Sequence, residues 1–226
     1  TAALFRPGGV PLAEGQVLKQ PDLAKTFRLI AEHGPKVFYR GEIARAIVEA
    51  QKRSRSPVPE EGVGRMTLAD LAGYRVALRQ PVSGSYRGVK VVSMPPPSSG
   101  GLTVIQMLKM LEGFPIGDAG QGFGFGQDRT LHVMIEAMRL AFADRAVWMG
   151  DADFVDVPER GLLHPTYVAQ RAGLINLGQR MPTPAAGNPL PFDDAPRGPR
   201  PSPHAAPEPA GTHTTHFAVA DRWGNV

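Results

Sequence analysis

The sequence predicts an α+β chain dominated by helices. Three observations lead there. Apolar residues recur at helical spacing over much of the first 150 positions. Alternation of β type is confined to residues 74–94 and to a short stretch from Thr214 to Asp221. A proline-rich run from 182 to 209 separates that last stretch from everything before it.

Residues 22–33 read as an amphipathic helix, with Leu23, Phe27 and Ile30 on one face. Pro21 and Asp22 suit its start, and Gly34-Pro35 stops it. A second helix is expected over 41–52 with Ile43, Ala46, Ile47 and Ala50 inward. A Ser-, Pro- and Gly-rich loop follows over 54–64. Thr67 then caps a short helix, with Asp70 three residues on as the return partner. From Tyr74 to Met94 the pattern turns to short strands joined by tight turns, broken at Pro81, Gly84 and Arg87-Gly88. Three prolines, 95 to 97, fix an extended run. Ser98 or Ser99 is placed to cap the helix expected over 102–111. A glycine-rich loop, 113–126, leads to the longest helix, about 129–149, whose inward face is expected to carry Leu131, Ile135, Met138 and Phe142, with Gly150 at its C-cap. Residues 182–209 hold too little apolar surface to offset their ordering entropy and read as an extended, mobile surface linker. It ends at Gly211-Thr212-His213, after which the strand-like stretch begins.

Composition narrows the function. There is no cysteine, which removes disulfides, thiolate metal sites and a cysteine nucleophile. The net charge of +4 over 226 residues is small and its basic residues are dispersed, apart from a local run over 52–55 that reads as a solvated loop, so nucleic acid is not the expected partner. No apolar run approaches the roughly 20 residues of a membrane span. The chain begins at Thr1 without a methionine and stops at Val226 in what reads as strand, so both ends read as cuts.

Thr214 is the residue whose setting suggests chemistry. A linker feeds directly into a threonine at the head of a strand. Threonine is a weak nucleophile without a base. An N-terminal threonine has one in its own α-amine, whose pKa near 8 suits the task. Inside a chain that amine is an amide, so a protein using this chemistry must first cut itself just before the threonine. On pattern alone the alternative stands: Thr214 simply begins an edge strand, where threonine is common.

Other candidates carry weaker signals. His213 and His216, with His204 nearby, are too few and too irregular for the three or four ligands zinc needs, so no metal is expected. Asp151, Asp153 and Asp156 faintly resemble a calcium loop but lack its glycine and closing glutamate. The alternating glycines at 122, 124 and 126 do not follow a strand, so no nucleotide cofactor is expected. Asp144-Arg145 on the longest helix is expected to take part in buried ion pairs.

Several segments, in order, resemble one family. The stretch Thr214-Thr215-His216-Phe217-Ala218-Val219, followed by Asp221-Arg222-Trp223-Gly224-Asn225-Val226, resembles the start of the small subunit of gamma-glutamyltransferases. The run from Met94 through three prolines and Ser98-Ser99-Gly100-Gly101 resembles a motif of the large subunit. So do Glu136-Ala137 with Ala141-Phe142-Ala143-Asp144-Arg145, the stretch Gly150-Asp151-Ala152-Asp153-Phe154, and Ala31-Glu32-His33-Gly34-Pro35 with Phe38-Tyr39-Arg40-Gly41. The likeness covers nearly the whole chain. It departs at Ala218, where the family commonly has Ser or Thr; this bears on substrate identity more than on reaction type.

The resemblance implies an N-terminal-nucleophile hydrolase, an αββα sandwich of which this chain is a fragment dominated by large-subunit helices. Residues 1–181 would be the later part of the large subunit, 182–213 the linker before the self-cleavage site, and 214–226 the start of the small subunit. Thr214 would be the catalytic nucleophile and His213-Thr214 the cleavage site, with His216 orienting the strand. The complete enzyme would act on glutathione or related γ-glutamyl compounds, passing the acyl group to water or to an amino acid or peptide. The oxyanion donors and the residues gripping the substrate are expected outside this stretch, so this fragment alone is expected to be inactive. The rest of the small subunit is the expected partner, and a periplasmic or extracellular site the expected location. Two alternatives remain: a glutaryl-cephalosporin acylase of the same superfamily, and a non-catalytic homologue.

Overall fold

Glycine and proline punctuate the first third of the sequence into short helices, and the structure follows that punctuation. The structure is a computed structural model that describes residues 2–53 and 64–193. His204, the pair His213 and Thr214, His216, Ala218, the later linker and the expected start of the small subunit all lie outside the described residues. The chain divides into two compact units, one running to Leu78 and one beginning at Arg79; the sequence suggested no boundary before 181.

The first unit contains α1 (Ala2–Phe5), α2 (Pro21–His33), α3 (Pro35–Arg40), α4 (Glu42–Arg53) and α5 (Leu68–Gly73). Gly34, at φ +66°, closes α2 in a backbone conformation that side chains disfavour. Pro35 then sits at the first position of α3, where its missing N–H costs nothing. The expected stop is therefore a break between two helices. Ala44 and Val48 of α4 pack with Leu71 of α5, and Ile47 lies against them. This stripe lies to one side of the expected one, and Ala46 and Ala50 are exposed. In α2 no residue is buried, and Leu23 and Phe27 are exposed. The Thr67–Asp70 capping box forms as the sequence predicts: Asp70 N–H donates to Thr67 Oγ1 at 3.2 Å, and Thr67 N–H donates to the Asp70 carboxylate at 2.7 Å.

The second unit opens with an antiparallel hairpin of β1 (Val82–Tyr86) and β2 (Val89–Ser93), in which Tyr86 faces Val89 and Val82 faces Ser93. The two turn residues Arg87 and Gly88 have φ of +50° and +82°. Positive φ at both central positions is the hand that matches strand twist. Strand structure begins only at Val82, so the expected β pattern over 74–80 is not realised. The helices are α6 (Gly100–Leu111), α7 (Asp128–Trp148), α8 (Glu159–Leu163) and α9 (Pro165–Ala172).

Helix α6 is the centre of this unit, packed against the hairpin, α7, α8 and α9. Two glycines permit the approach to the hairpin. A Cβ on Gly101 would press into the Met94 carbonyl and lie 2.7 Å from a Val82 methyl, and one on Gly84 would overlap Ile105. On one side of α6 the core holds Val82, Leu102, Ile105, Leu162 and Tyr167. On the other, Met110 and Leu111 meet Val133, Ala137, Leu140 and Ala141 of α7 and Val168 of α9. Ser99 occupies the N-cap position of α6, but its side chain makes no cap. Its hydroxyl accepts instead from Arg145 Nε at 2.8 Å, which joins the proline–serine run to α7.

The face of α7 reverses the expectation. Leu131, Ile135, Met138 and Phe142 are each about half exposed, from 47% to 53%. The buried face carries Thr130, Val133, Glu136, Ala137, Leu140, Ala141 and Asp144. Both faces carry apolar residues, so periodicity alone does not choose between them. The small side chains of Ala137 and Ala141 favour close packing on α6, and the two carboxylates on that face find partners there.

If the α6–hairpin contact needs glycine, Gly101→Ala in the complete protein costs about 1–3 kcal/mol, the usual penalty of overpacking. Thermal unfolding followed by circular dichroism checks it. A midpoint equal to the parent's would show that the contact is not tight.

Candidate functional site

Glu136, Leu140 and Asp144 stand four residues apart on α7 and so share one face. Asp144 is completely buried. A buried carboxylate is tolerated only when its oxygens are answered, and here they accept three hydrogen bonds and face one guanidinium. Oδ1 lies 2.9 Å from Arg171 Nη2 in an ion pair and accepts from the backbone N–H of Gly187 at 2.8 Å. Oδ2 accepts from Gln106 Nε2 at 2.7 Å and from the Tyr167 hydroxyl at 2.8 Å. The donors come from α6, from α9 and from the segment after 181. Tyr167 and Arg171 are four apart on α9, which is why one helix supplies two of them. Arg171 also donates to the carbonyls of Leu140 at 3.2 Å and Ala185 at 2.9 Å.

Burial of the Tyr167 phenol, reinforced by the Asp144 charge and its hydrogen bond, pushes its pKa well above the ordinary tyrosine value. The hydroxyl therefore stays protonated and donates. Hydrogen bonds to a charged group are worth about 1.5–3 kcal/mol each. Three of them, with the Arg171 charge beside Oδ1, offset the several kcal/mol that desolvating the carboxylate costs. With both oxygens engaged by groups from α6, α9 and the segment after 181, Asp144 holds elements together.

Two turns earlier, Glu136 repeats the device. It is 1% exposed, takes Arg139 Nη1 at 2.7 Å and accepts the backbone N–H of Met181 at 3.1 Å. Arg139 donates in turn to the carbonyls of Met181 and Pro182, both at 2.9 Å. Beyond these, Trp148 Nε1 donates to the Gly187 carbonyl at 2.9 Å, and Asp193 accepts the N–H of Gly161 at 3.0 Å. Residues 182–193, expected as the mobile start of a linker, are thus bound to the helical body. Composition judged the segment by its lack of apolar surface, whereas its backbone is held by polar groups that the body buries.

Elsewhere the weaker candidates take ordinary roles. Arg79 lies 2.5 Å from Asp153 and 4.0 Å from Asp151, so a cation of the chain already faces these carboxylates. Among the described residues no group of three or more His, Asp or Glu side chains gathers in a metal-binding arrangement. The glycine loop closes on itself through Gly117 N–H to the Phe123 carbonyl and Phe123 N–H to the Asp118 carbonyl, and leads into α7 with no strand before it. An open apolar cleft in the first unit, between Phe38, Tyr39, Leu71 and Tyr74, has one carboxylate at its edge, Asp70. Hydrogen bonds from the Thr67 side chain and backbone hold that carboxyl below the usual range and occupy it in capping.

Thr214 and His213 lie outside the described residues. The sequence reading expected ion pairing at Asp144-Arg145; Asp144 does pair, with Arg171. Glu136 was noticed as part of a motif but not as a buried charge. Tyr167, Arg171, Trp148 and Gly187 were missed. A signal existed in the i, i+4 spacing of Tyr167 and Arg171 behind Pro165, a proline suited to a helix start.

Comparison with known proteins places these features in context. The family model described as Gamma-glutamyltranspeptidase matches residues 1–226. A glutathione hydrolase proenzyme of Bacillus subtilis subsp. natto is 40% identical over 223 residues, which is 99% of this chain and 36% of that protein. An acylase ACY 1 proenzyme of Pseudomonas sp. (strain SE83) is 38% identical over 225 residues, 100% of this chain and 35% of that protein. Among solved structures, the gamma-glutamyltranspeptidase of Helicobacter pylori superimposes with a TM-score of 0.67 at 40% identity, over 80% of this chain and 48% of that one. The chain thus spans about a third of the length of these curated relatives.

The Tyr167 hydroxyl yields a pH-dependent expectation. In the unfolded chain it ionises near pH 10; in the folded chain it keeps its proton to higher pH. Its contribution is complete below pH 10 and is lost as the pH rises further. Tyr167→Phe is expected to cost about 1–3 kcal/mol at pH 8, and the gap to the parent should narrow as the pH rises above about 10. Urea unfolding across that range checks it; a gap that stays constant would show that the hydroxyl gains nothing from Asp144.

Proposed function

The chain belongs to the gamma-glutamyltranspeptidase family, and from that premise we propose that the whole protein is a self-cleaving enzyme acting on γ-glutamyl amides such as glutathione. Its fold is the α+β fold of the N-terminal-nucleophile hydrolases to which its solved neighbours belong. The observation that carries the reading is the continuous match through the His213-Thr214 step, with relatives that are named as proenzymes. The half-exposed apolar stripe of α7 supports it too: a layer of a larger sandwich has a second face to cover, and we assign that face to the rest of the small subunit.

In the proposed maturation the Thr214 hydroxyl attacks the carbonyl of His213. The amide C–N bond breaks as the C–O bond forms, leaving an ester and a free α-amine on Thr214. Water hydrolyses the ester, and Thr214 becomes a new N-terminus. In turnover that α-amine takes the proton from the same hydroxyl, which attacks the γ-carbonyl of the substrate. The amine of the departing fragment leaves with a proton, and the γ-glutamyl ester passes to water or to the amine of an amino acid or peptide. Export to the periplasm or the exterior is part of the proposal.

One relative favours a second reading. The similarity to an acylase proenzyme at 38% identity keeps a glutaryl-amide substrate open, since a glutaryl group is a γ-glutamyl group without its amine. Comparing a γ-glutamyl anilide with a glutaryl anilide on the complete enzyme separates the two.

The test is mass spectrometry of the full-length product with denaturing gels. Two chains are expected, the smaller beginning at Thr214. Thr214→Ala is expected to remain a single chain and to lose activity on the γ-glutamyl anilide by about 10³-fold or more. A parent protein that stays uncut, or a new terminus elsewhere, would overturn the proposal and favour a non-catalytic homologue.

A further inference from the structure

We propose that the first unit is completed by the part of the whole protein that lies outside residues 1–226, which fills the aromatic cleft lined by Tyr39 and Tyr74 and covers Leu23 and Phe27 of α2; this rests on the family relationship and not on the reading of Thr214. The first unit is short of core. Among its described residues the buried apolar side chains are Val37, Ala44, Val48 and Leu71. They serve α2 to α5, helices of 13, 6, 12 and 6 residues. Side chains so few, one of them an alanine, bury too little to offset the ordering entropy of that much chain.

The apolar surface that would supply the rest is present and uncovered. Phe27 is 61% exposed, and Leu23, one turn before it, 42%. Four positions apart, the two share a face of α2. The charged residues of that helix, Asp22, Lys25, Arg28 and Glu32, are all exposed and balance in sign. A helix that rests on a membrane surface carries a strongly basic polar face instead, so the chemistry of α2 fits a protein layer.

The cleft is already formed. Tyr39 and Tyr74 stack with ring centres 5.6 Å apart and planes within 6°, and Phe38 meets Tyr39 edge-on at 5.0 Å. Arg40 donates to the Ala72 carbonyl at 2.7 Å, which ties α3 to α5. Gln51 bonds both the N–H and the carbonyl of Met66, which ties α4 to the chain that enters α5. The space, about 390 Å³, has Asp70 as the one charged group in its lining, and Thr67 engages that carboxylate. Clefts for small molecules add several convergent polar groups that fix orientation. An apolar and aromatic wall without them suits the side chains of a packed segment.

The covering chain has a source. The relatives named above are matched over 36% and 35% of their length. About two thirds of a whole protein of that kind therefore has no counterpart in residues 1–226. A small core, an exposed apolar pair and an empty aromatic cleft in one unit are the marks of a body that lacks a layer, and the remaining length provides one.

The test uses the full-length protein and two readouts. In the first, p-benzoyl-phenylalanine replaces Phe27, the protein is irradiated, and mass spectrometry identifies the joined peptides. A cross-link to a peptide of the same polypeptide outside residues 1–226 is expected. Joining to another stretch of residues 1–226, joining of two copies at twice the mass, or no cross-link would each overturn the proposal. In the second, hydroxyl-radical footprinting of the unaltered protein follows Met66 and Tyr74. Covered, each is expected to oxidise at least about tenfold more slowly than in the urea-unfolded chain. Left uncovered, at 46% and 56% exposure, they would react within about twofold of it, and the proposal would fall. The footprint needs no substitution, so it decides the case if the Phe27 replacement perturbs folding. Neither readout depends on cleavage: a protein that never converts at Thr214 can show both, and one that converts can fail both.

Discussion

Asp144 has no access to solvent, so its charge is answered entirely by protein groups, and the arrangement of the second unit can be understood as the set of positions from which that is possible. Gln106 reaches it from α6, Tyr167 and Arg171 from α9, and Gly187 from the segment beyond. Moving any one of these elements by a few ångströms would leave a buried charge short of a partner, which costs far more than an apolar contact of similar size. Apolar burial along α6 and α7 supplies the driving force for collapse. It does not by itself select one register among the many that bury similar area, and the carboxylate does.

The same reasoning explains what was legible in the sequence. Local signals were read correctly where local chemistry decides. Arg87-Gly88 between alternating residues marks the hairpin turn, Thr67 and Asp70 cap α5, and Gly34-Pro35 breaks the helix. The extents of α2, α4, α6 and α7 were legible to within two residues. Which face each helix buries was not. Leu131, Ile135, Met138 and Phe142 form as good a stripe as the residues that are buried, and only the partners across the interface decide between them. The rule that charges lie outside misleads for Glu136, which accepts the backbone N–H of Met181 45 residues away; Asp144 was expected in a buried pair, but its partner is Arg171 and not a neighbour on the same helix. The short helices α3, α8 and α9 were missed because none is long enough to show a period. The segment 182–193 was misjudged because composition reports what its side chains can bury and says nothing of what its carbonyls can accept.

For function, the structure complements the family relationship. The motifs through which the chain resembles its family are not scattered surface signatures. Ser99, in the proline–serine run, accepts a hydrogen bond from Arg145, and Asp144 beside it holds the network. Two of the motifs are therefore one physical assembly.

Hydrogen–deuterium exchange of the full-length protein tests the central claim, that buried charges hold the segment after 181, without depending on any activity. Peptides covering 181–193 should exchange roughly 100-fold or more slowly than an unprotected chain, with the amides of Met181 and Gly187 among the slowest. Exchange across 181–193 at the rate of free chain, with α6 and α7 protected, would contradict it.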